Sequence, residues 1–266
     1  MKEMKDDEVR QAVRKNYGEI AKSGSEGCGS NPPACCGDGN KPSAVDVSAR
    51  IGYSVEDLAD LPEGANMGLG CGNPHAIASL QPGEVVLDLG SGGGIDCFLA
   101  AKAVGDKGRV IGVDMTPEMI SKSREYAEKA KFSNVEFRLG EIEHIPAADN
   151  SADVIMSNCV INLSPDKPSV FRDAFRVLKK GGRLAVTDVV ATAAMPDDVR
   201  ENIELLAGCV AGAARMDELK AMLEEAGFSS IRINPKEESK EVIREWFPES
   251  RLEDYVVSAT IEAVKA

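Results

Sequence analysis

The sequence predicts an α/β fold: a doubly wound, mostly parallel seven-stranded sheet with an N-terminal helical and loop lid. Three observations predict it. Five apolar, strand-like runs alternate with helical stretches through the middle of the chain. A glycine-rich turn joins the first of these runs to the helix that follows. The chain then ends on two further strands separated only by a short helical insert.

Taken in order, residues 6–22 set Val9, Val13, Tyr17 and Ile20 at helical spacing and predict one amphipathic helix. The segment SGSEGCGSNPPACCGDGNKP after it is rich in Gly, Pro, Ser and Cys, has no apolar period and reads as a loop. Short helices are expected near 44–50 and 54–60. Asn73 and Pro74 supply the cap and first turn of a helix running toward Leu80. Strands are expected at 84–89, 109–114, 135–140, 152–158 and 183–190, with helices near 95–104, 117–131 and 167–180 between them. Helical stretches at 197–208 and 215–226 follow, the second closed by Gly227. Strands at 230–236 and 255–265 flank an insert carrying Trp246 and Phe247.

Composition narrows the partners. With 31 basic and 44 acidic residues the formal charge is -13, which repels phosphate backbones and anionic headgroups, so neither nucleic acid nor a membrane is expected. No apolar run approaches the ~20 residues of a bilayer span. The first residues, MKEMKDDEVRQAVRK, do not resemble a secretory signal, and a cytoplasmic location is expected. Seven cysteines, an odd number, fit reduced thiols with a chemical task better than a complete disulfide framework.

The motif DLGSGGG places Asp88, Gly90, Ser91, Gly92 and Gly94 between a strand and a helix, where glycines allow a tight turn and close approach of a nucleotide-like ligand. A dinucleotide fingerprint counted from Gly90 would need glycine where Ile95 stands. Asp114, followed by Met115, ends the second strand, where a carboxylate can accept from both ribose hydroxyls. Only two histidines are present; His144 reads as a loop residue and His75 as structural, so a histidine base has little support. In open parallel sheets ligands sit beyond the carboxyl ends of the strands. There SNCVINLSPDK brings Asn158 and Cys159 forward, while Cys71 in NMGLGCGNP and Cys209 in AGCVAGAA lie among small residues. Thiolates are soft ligands for thiophilic atoms. Cys97, between Ile95 and Phe98, reads as a core residue.

The late antiparallel strand pair resembles the class I methyltransferase sheet. The motifs GCGNP, DLGSGGG, SNCVINL and a later Gly-Cys segment, in this order, resemble the arsenite methyltransferases from about Tyr17 to about Phe228. The resemblance implies S-adenosylmethionine as cofactor, with Glu141, Ile142 and Glu143 after the third strand positioned at the adenine. It implies that Cys71, Cys159 and Cys209 hold trivalent arsenic, from arsenite or its thiol conjugates. One of Cys28, Cys35 and Cys36 would take part in redox turnover, with thioredoxin or a small thiol as reductant. It divides the chain into a lid (1–72) and a cofactor-binding core (73–266), with 191–228 as a helical cover over the acceptor. Trivalent arsenic keeps a lone pair and needs no base; thiols near pKa ~8.5 must lose protons to bind it, so affinity is expected to depend on pH. Two alternatives stay open: methyl transfer to a small organic carbon, nitrogen or oxygen acceptor, and a non-catalytic thiol module that binds metalloids.

Overall fold

Seven strands, β1 (Val85–Leu89), β2 (Arg109–Asp114), β3 (Val135–Leu139), β4 (Ala152–Asn158), β5 (Leu178–Ala191), β6 (Ser229–Lys236) and β7 (Val256–Val264), form one sheet in a computed structural model. It describes residues 6–23, 43–196, 199, 209–246 and 250–266. The order is β3-β2-β1-β4-β5-β7-β6, with β1 to β5 mutually parallel and β7 antiparallel to both β5 and β6. The helices are α1 (Asp6–Ser23), α2 (Ala44–Arg50), α3 (Val55–Ala59), α4 (His75–Ala78), α5 (Ile95–Val104), α6 (Pro117–Lys129), α7 (Lys167–Val177), α8 (Met216–Ala226) and α9 (Ser239–Trp246). Among the described residues, no helix is long and apolar enough to cross a membrane.

The period of two within each strand decides which helix covers which face. Leu87, Leu89, Ile111, Val113, Ile155 and Val186 pack with Val170, Phe171 and Ala174 of α7 and with Leu219 and Leu223 of α8. Their strand neighbours Val86, Val110, Val154, Met156 and Ala185 pack instead with Phe98, Ala101 and Val104 of α5 and with Ile120 and Ala127 of α6. Burying each such side chain contributes roughly 1.5–3 kcal/mol. Both faces are apolar because both are covered, which is why these strands read as continuous apolar runs.

Three boundaries differ from the expectation. β5 begins at Leu178, not 183, and α7 stops at Val177, not 180: Leu178 pairs with Ala152 of β4, and the Gly181 N–H donates to the Lys265 carbonyl at 2.6 Å. α4 ends at Ala78 because Ser79 adopts a left-handed backbone (φ 49°). Apart from Val199, the expected helix at 197–208 lies outside the described residues, as do Phe247 and the loop carrying Cys28, Cys35 and Cys36.

The chain leaves β1 toward β2 on one side and reaches β4 on the other, so the sheet's switch point lies between β1 and β4. A crevice opens there beyond the strand ends, as the topology requires. α1 lies over this end, joining Ile20 and Ala21 to Met119 of α6 and sending Arg10 toward the crevice.

Candidate active site

At the crevice, the turn after β1 is shaped by backbone that only glycine accepts easily. Gly90 has φ +72°, and a β-carbon there would stand 2.4 Å from a methyl of Val160. The next two residues frame a cradle. The Ser91 hydroxyl is buried with no hydrogen-bond partner among the described residues, and a β-carbon on Gly92 would meet none of them within 4 Å. Asp114 secures the turn by accepting from the Gly92 N–H (2.9 Å) and the Thr116 N–H (2.8 Å), and burial raises its carboxyl above the usual range. Together these residues suit a nucleoside: a free hydroxyl, a strand-end carboxylate for ribose hydroxyls, and apolar walls from Ile95, Met115, Met119 and Ile142. The cleft they line has about 1200 Å³ of free space, its mouth included.

The residues expected around the cofactor are therefore distributed unevenly. Gly90, Ser91, Gly92, Asp114, Met115, Ile142, Glu143 and Asn158 line the cleft. Asp88 does not: it lies buried beneath the turn, accepting from the Cys97 thiol at 3.2 Å, and burial and neighbouring Asp96 push its carboxyl well up. Gly94 caps α5 behind the cleft, against Phe98 and Phe137. Glu141 points away to ion pairs with Arg10 and Arg14 of α1. Glu143 accepts from Arg10 (3.1 Å) and from the Ser164 hydroxyl (2.7 Å), so it ties α1 to the cleft wall.

Cys159 and Cys209 line the far wall of the cleft, and Cys71 lies just behind it. β4 ends at Asn158, and Cys159 departs from the strand with a left-handed backbone (φ 60°), its N–H donating to the Thr187 carbonyl at 2.8 Å. Cys209 is also left-handed (φ 63°), and its thiol donates to the Cys159 carbonyl at 2.6 Å. Cys71 arrives on the loop before α4, where close approach is permitted because a β-carbon on Gly72 would come within 2.8 Å of Thr187. The Cys71 and Cys159 sulfurs and an Asp188 oxygen all lie within 4.8 Å of one another. The Cys71 thiol donates to the Thr187 carbonyl at 3.8 Å, and Cys209 lies beside Cys159 through its bond to that residue's carbonyl. All three cysteines are buried and free, as is Cys97 within α5.

Electrostatics keep the Cys71 and Cys159 thiols protonated at rest. Burial raises Cys71 to about 11. Cys159 is pushed well above the ordinary thiol value by its neighbours Cys209 and Cys71 and by burial. Asp188 is raised to about 7 by burial, although Val189 and Asn162 N–H groups donate to it (2.8 and 3.2 Å). The Asn162 amide also donates to Asp188 (2.8 Å) and to the Cys209 carbonyl (3.2 Å), linking the carboxyl to the third cysteine.

Asn158 joins the two halves of the site. Its Oδ1 accepts from the Cys71 N–H (3.2 Å) and the Thr187 hydroxyl (3.1 Å), and its Nδ2 donates to the Gly72 carbonyl (2.8 Å) and the Tyr53 hydroxyl (2.9 Å). Tyr53 donates in turn to Asp96 (2.7 Å), which lines the cofactor cleft. Sequence reasoning passed over Asp188, Asn162, Tyr53, Asp96 and Arg10. Asp96 and Asp188 carry a detectable signal, each being a lone acid in an apolar helix or strand. The others gain their place only through contacts distant in sequence.

Of the expected cover at 191–228, the Cys209 turn reaches the thiols, whereas α8 packs with Leu219 and Leu223 into the core.

A seven-stranded sheet with one reversed strand and a nucleoside cleft at its switch point defines an S-adenosylmethionine-dependent methyltransferase, and residues 80–227 match the family model described as a methyltransferase domain. The chain is 55% identical over 265 residues to an arsenite methyltransferase of Halobacterium salinarum, covering 97% of this chain and 67% of that one. It belongs to the arsenite methyltransferase family. A human arsenite methyltransferase is 34% identical over 242 residues, with 88% of this chain and 61% of that one covered, so the chain spans about two thirds or less of these relatives' length. Among solved structures, an arsenic(III) S-adenosylmethionine methyltransferase from Chlamydomonas reinhardtii superposes with TM-score 0.63 at 33% identity, covering 85% of this chain and 75% of that one.

Proposed function

We propose that this chain transfers the methyl group of S-adenosylmethionine to trivalent arsenic held by Cys71, Cys159 and Cys209. The observation that carries the reading is three buried, free thiols beside the cofactor cleft, with Cys159 and Cys209 on its wall and the Cys71 sulfur within 4.8 Å of that of Cys159. When bound, S-adenosylmethionine supplies an electrophilic methyl on a cationic sulfur. The protein's part is positioning. Three sulfurs hold arsenic with its lone pair directed into the cleft, at the ~3–3.5 Å separation suited to in-line transfer. No side chain has to remove a proton in that step, which agrees with a cleft wall that carries no histidine.

Because the Cys71 and Cys159 thiols are protonated at rest, loading there is a condensation. Each As–OH bond is exchanged for As–S, and each thiol proton leaves with hydroxide as water. No electron changes hands until the methyl moves; arsenic then rises formally from the trivalent to the pentavalent state. Returning it to the trivalent state takes two electrons, which a cysteine pair supplies by forming a disulfide. Cys28, Cys35 and Cys36 are the candidates for the partner thiol, with thioredoxin or a small thiol restoring it. A cytoplasmic location, where such reductants keep thiols reduced, suits this cycle.

Incubating purified protein with S-adenosylmethionine, a thiol and arsenite should yield methylated arsenicals. Cys159→Ser should abolish arsenite-dependent consumption of the cofactor while leaving cofactor binding intact. Unchanged turnover in that variant would overturn the thiolate site and favour a small organic acceptor.

A further inference from the structure

A second cavity, with about 590 Å³ of free space including its mouth, is lined by Arg50, Ile51, Gly52, Cys71, Lys236, Glu238, Ser239, Val242, Ile243 and Ser258. The thiols divide between the two spaces. Cys159 and Cys209 line the cofactor cleft and not this cavity, whereas Cys71 lines this cavity and not the cleft. The cysteine cluster is thus the partition between them.

We infer that this cavity is the entry port for the acceptor, through which trivalent arsenic bearing exchangeable hydroxyls reaches Cys71 while the cofactor occupies the cleft. The inference rests on the arsenite-transfer reading above. In-line transfer requires the methyl donor to cover the cleft side of the thiols, so a cofactor-bound protein can be loaded only from elsewhere. Of the three cysteines, Cys71 is the one that lines this second cavity among the described residues.

The chemistry of the port suits a small uncharged hydroxide. Its charges are nearly balanced: Arg50 is paired with Glu245 at 2.5 Å, and Lys236 faces the same space as Glu238. Ile51, Val242 and Ile243 supply apolar wall. At the inner end, Ser258 donates to the Cys71 carbonyl at 2.7 Å and fixes the backbone of the receiving cysteine. The Ser258 N–H donates to Ser239 at 2.9 Å, anchoring α9, which carries Val242, to β7. Capture at Cys71 exchanges one As–OH for As–S and releases water, and further exchange at Cys159 and Cys209 completes the site with two more waters and no change in oxidation state.

Two measurements test the port. The first is the rate of arsenite uptake by the full chain, alone and saturated with S-adenosylhomocysteine. The expected result is a rate unchanged within about twofold by saturation, and slowed at least about tenfold by Val242→Trp, with S-adenosylhomocysteine affinity retained. The second needs no variant. In protein saturated with S-adenosylhomocysteine, a small neutral thiol reagent should label Cys71 ahead of Cys159 and Cys209, as mapped by peptide mass. Uptake slowed about tenfold or more by S-adenosylhomocysteine, or labelling that spares Cys71, would overturn the port but leave the transfer reading intact. Wild-type protein that takes up no arsenite under any condition would overturn both.

Discussion

Replacing Asn158 with alanine tests whether the site's central amide positions Cys71 or merely braces the fold. The side chain makes four hydrogen bonds, two to the segment Cys71–Gly72 and one each to Tyr53 and Thr187. At a net ~1 kcal/mol each, with some regained by water entering from the cleft, stability should fall by about 2–4 kcal/mol. The two bonds to the Cys71 segment set the functional part. If both serve to hold the cysteine in its receiving position, arsenite affinity should fall by about 2 kcal/mol, or about thirtyfold.

Urea unfolding reads the first quantity, and calorimetric titration with arsenite the second. Thr187→Val serves as the control, since it removes one partner of the amide and leaves both bonds to the Cys71 segment in place. An alanine variant that is destabilised as expected yet binds arsenite with wild-type affinity would refute the reasoning. Cys71 would then be positioned by other contacts, of which the Ser258 bond to its carbonyl is the strongest candidate.

Three further outcomes are expected. Gly90→Ala should cost about 1–3 kcal/mol through left-handed strain and the collision with Val160, and should weaken S-adenosylhomocysteine binding at least about tenfold, measured by calorimetry and urea melts. The rate of arsenite loading, followed by stopped flow, should rise toward tenfold per pH unit between about pH 6 and 7 as the Cys71 thiolate fraction grows, and less steeply above 7 as Asp188 becomes anionic. Equilibrium affinity should stay nearly flat over the same range because the thiol protons leave in water, which corrects the expectation that affinity itself varies with pH. Asp188 binds its proton more tightly folded than unfolded, so its contribution is full below pH 3.8 and is lost as pH rises toward 7. Between pH 5 and 8 this costs the wild type about 2.5 kcal/mol, a slope that Asp188→Asn should lack in urea unfolding.

The parallel strands were legible because each is buried on two faces and therefore continuously apolar; Val86 and Leu87 serve opposite layers, but both are hydrophobic. Boundaries set by distant partners were not. Lys179, Lys180, Gly181 and Gly182 carry no strand signal, and their place in β5 depends on β4 and on Lys265. Cys159 could be placed from topology alone, since it follows the fourth strand at the switch point. Asp88 shows where motif reading overreaches: a strand-end acid before glycines was assigned to the cofactor, yet the side chain turns under the loop toward Cys97. Arg10, Tyr53 and Asn162 were illegible for a different reason. Their hydrogen bonds span 26 to 133 residues of sequence, and no local pattern encodes such pairings.

The backbone at the thiols carries the last argument. Seven described residues other than glycine have positive φ, and two of them are Cys159 and Cys209. Left-handed backbone costs a residue with a β-carbon roughly 1–2 kcal/mol. Packing alone gives no reason to tolerate it at both positions, since glycine would relieve the strain and cysteine adds only a small apolar group. Orientation does give a reason. Continued as extended strand, the chain after Asn158 would carry Cys159 along the sheet, whereas the left-handed turn leaves its sulfur within 4.8 Å of that of Cys71 and its carbonyl on the Cys209 thiol. The consequence can be measured by comparing Cys159→Gly with Cys159→Ala. Both lack the sulfur, so both should fail to hold arsenite, but the glycine variant should be more stable than the alanine variant by about 1 kcal/mol in urea unfolding. An alanine variant more stable than the glycine variant would mean that the backbone relaxes without cost, and that the turn at Cys159 stores no strain on behalf of the site.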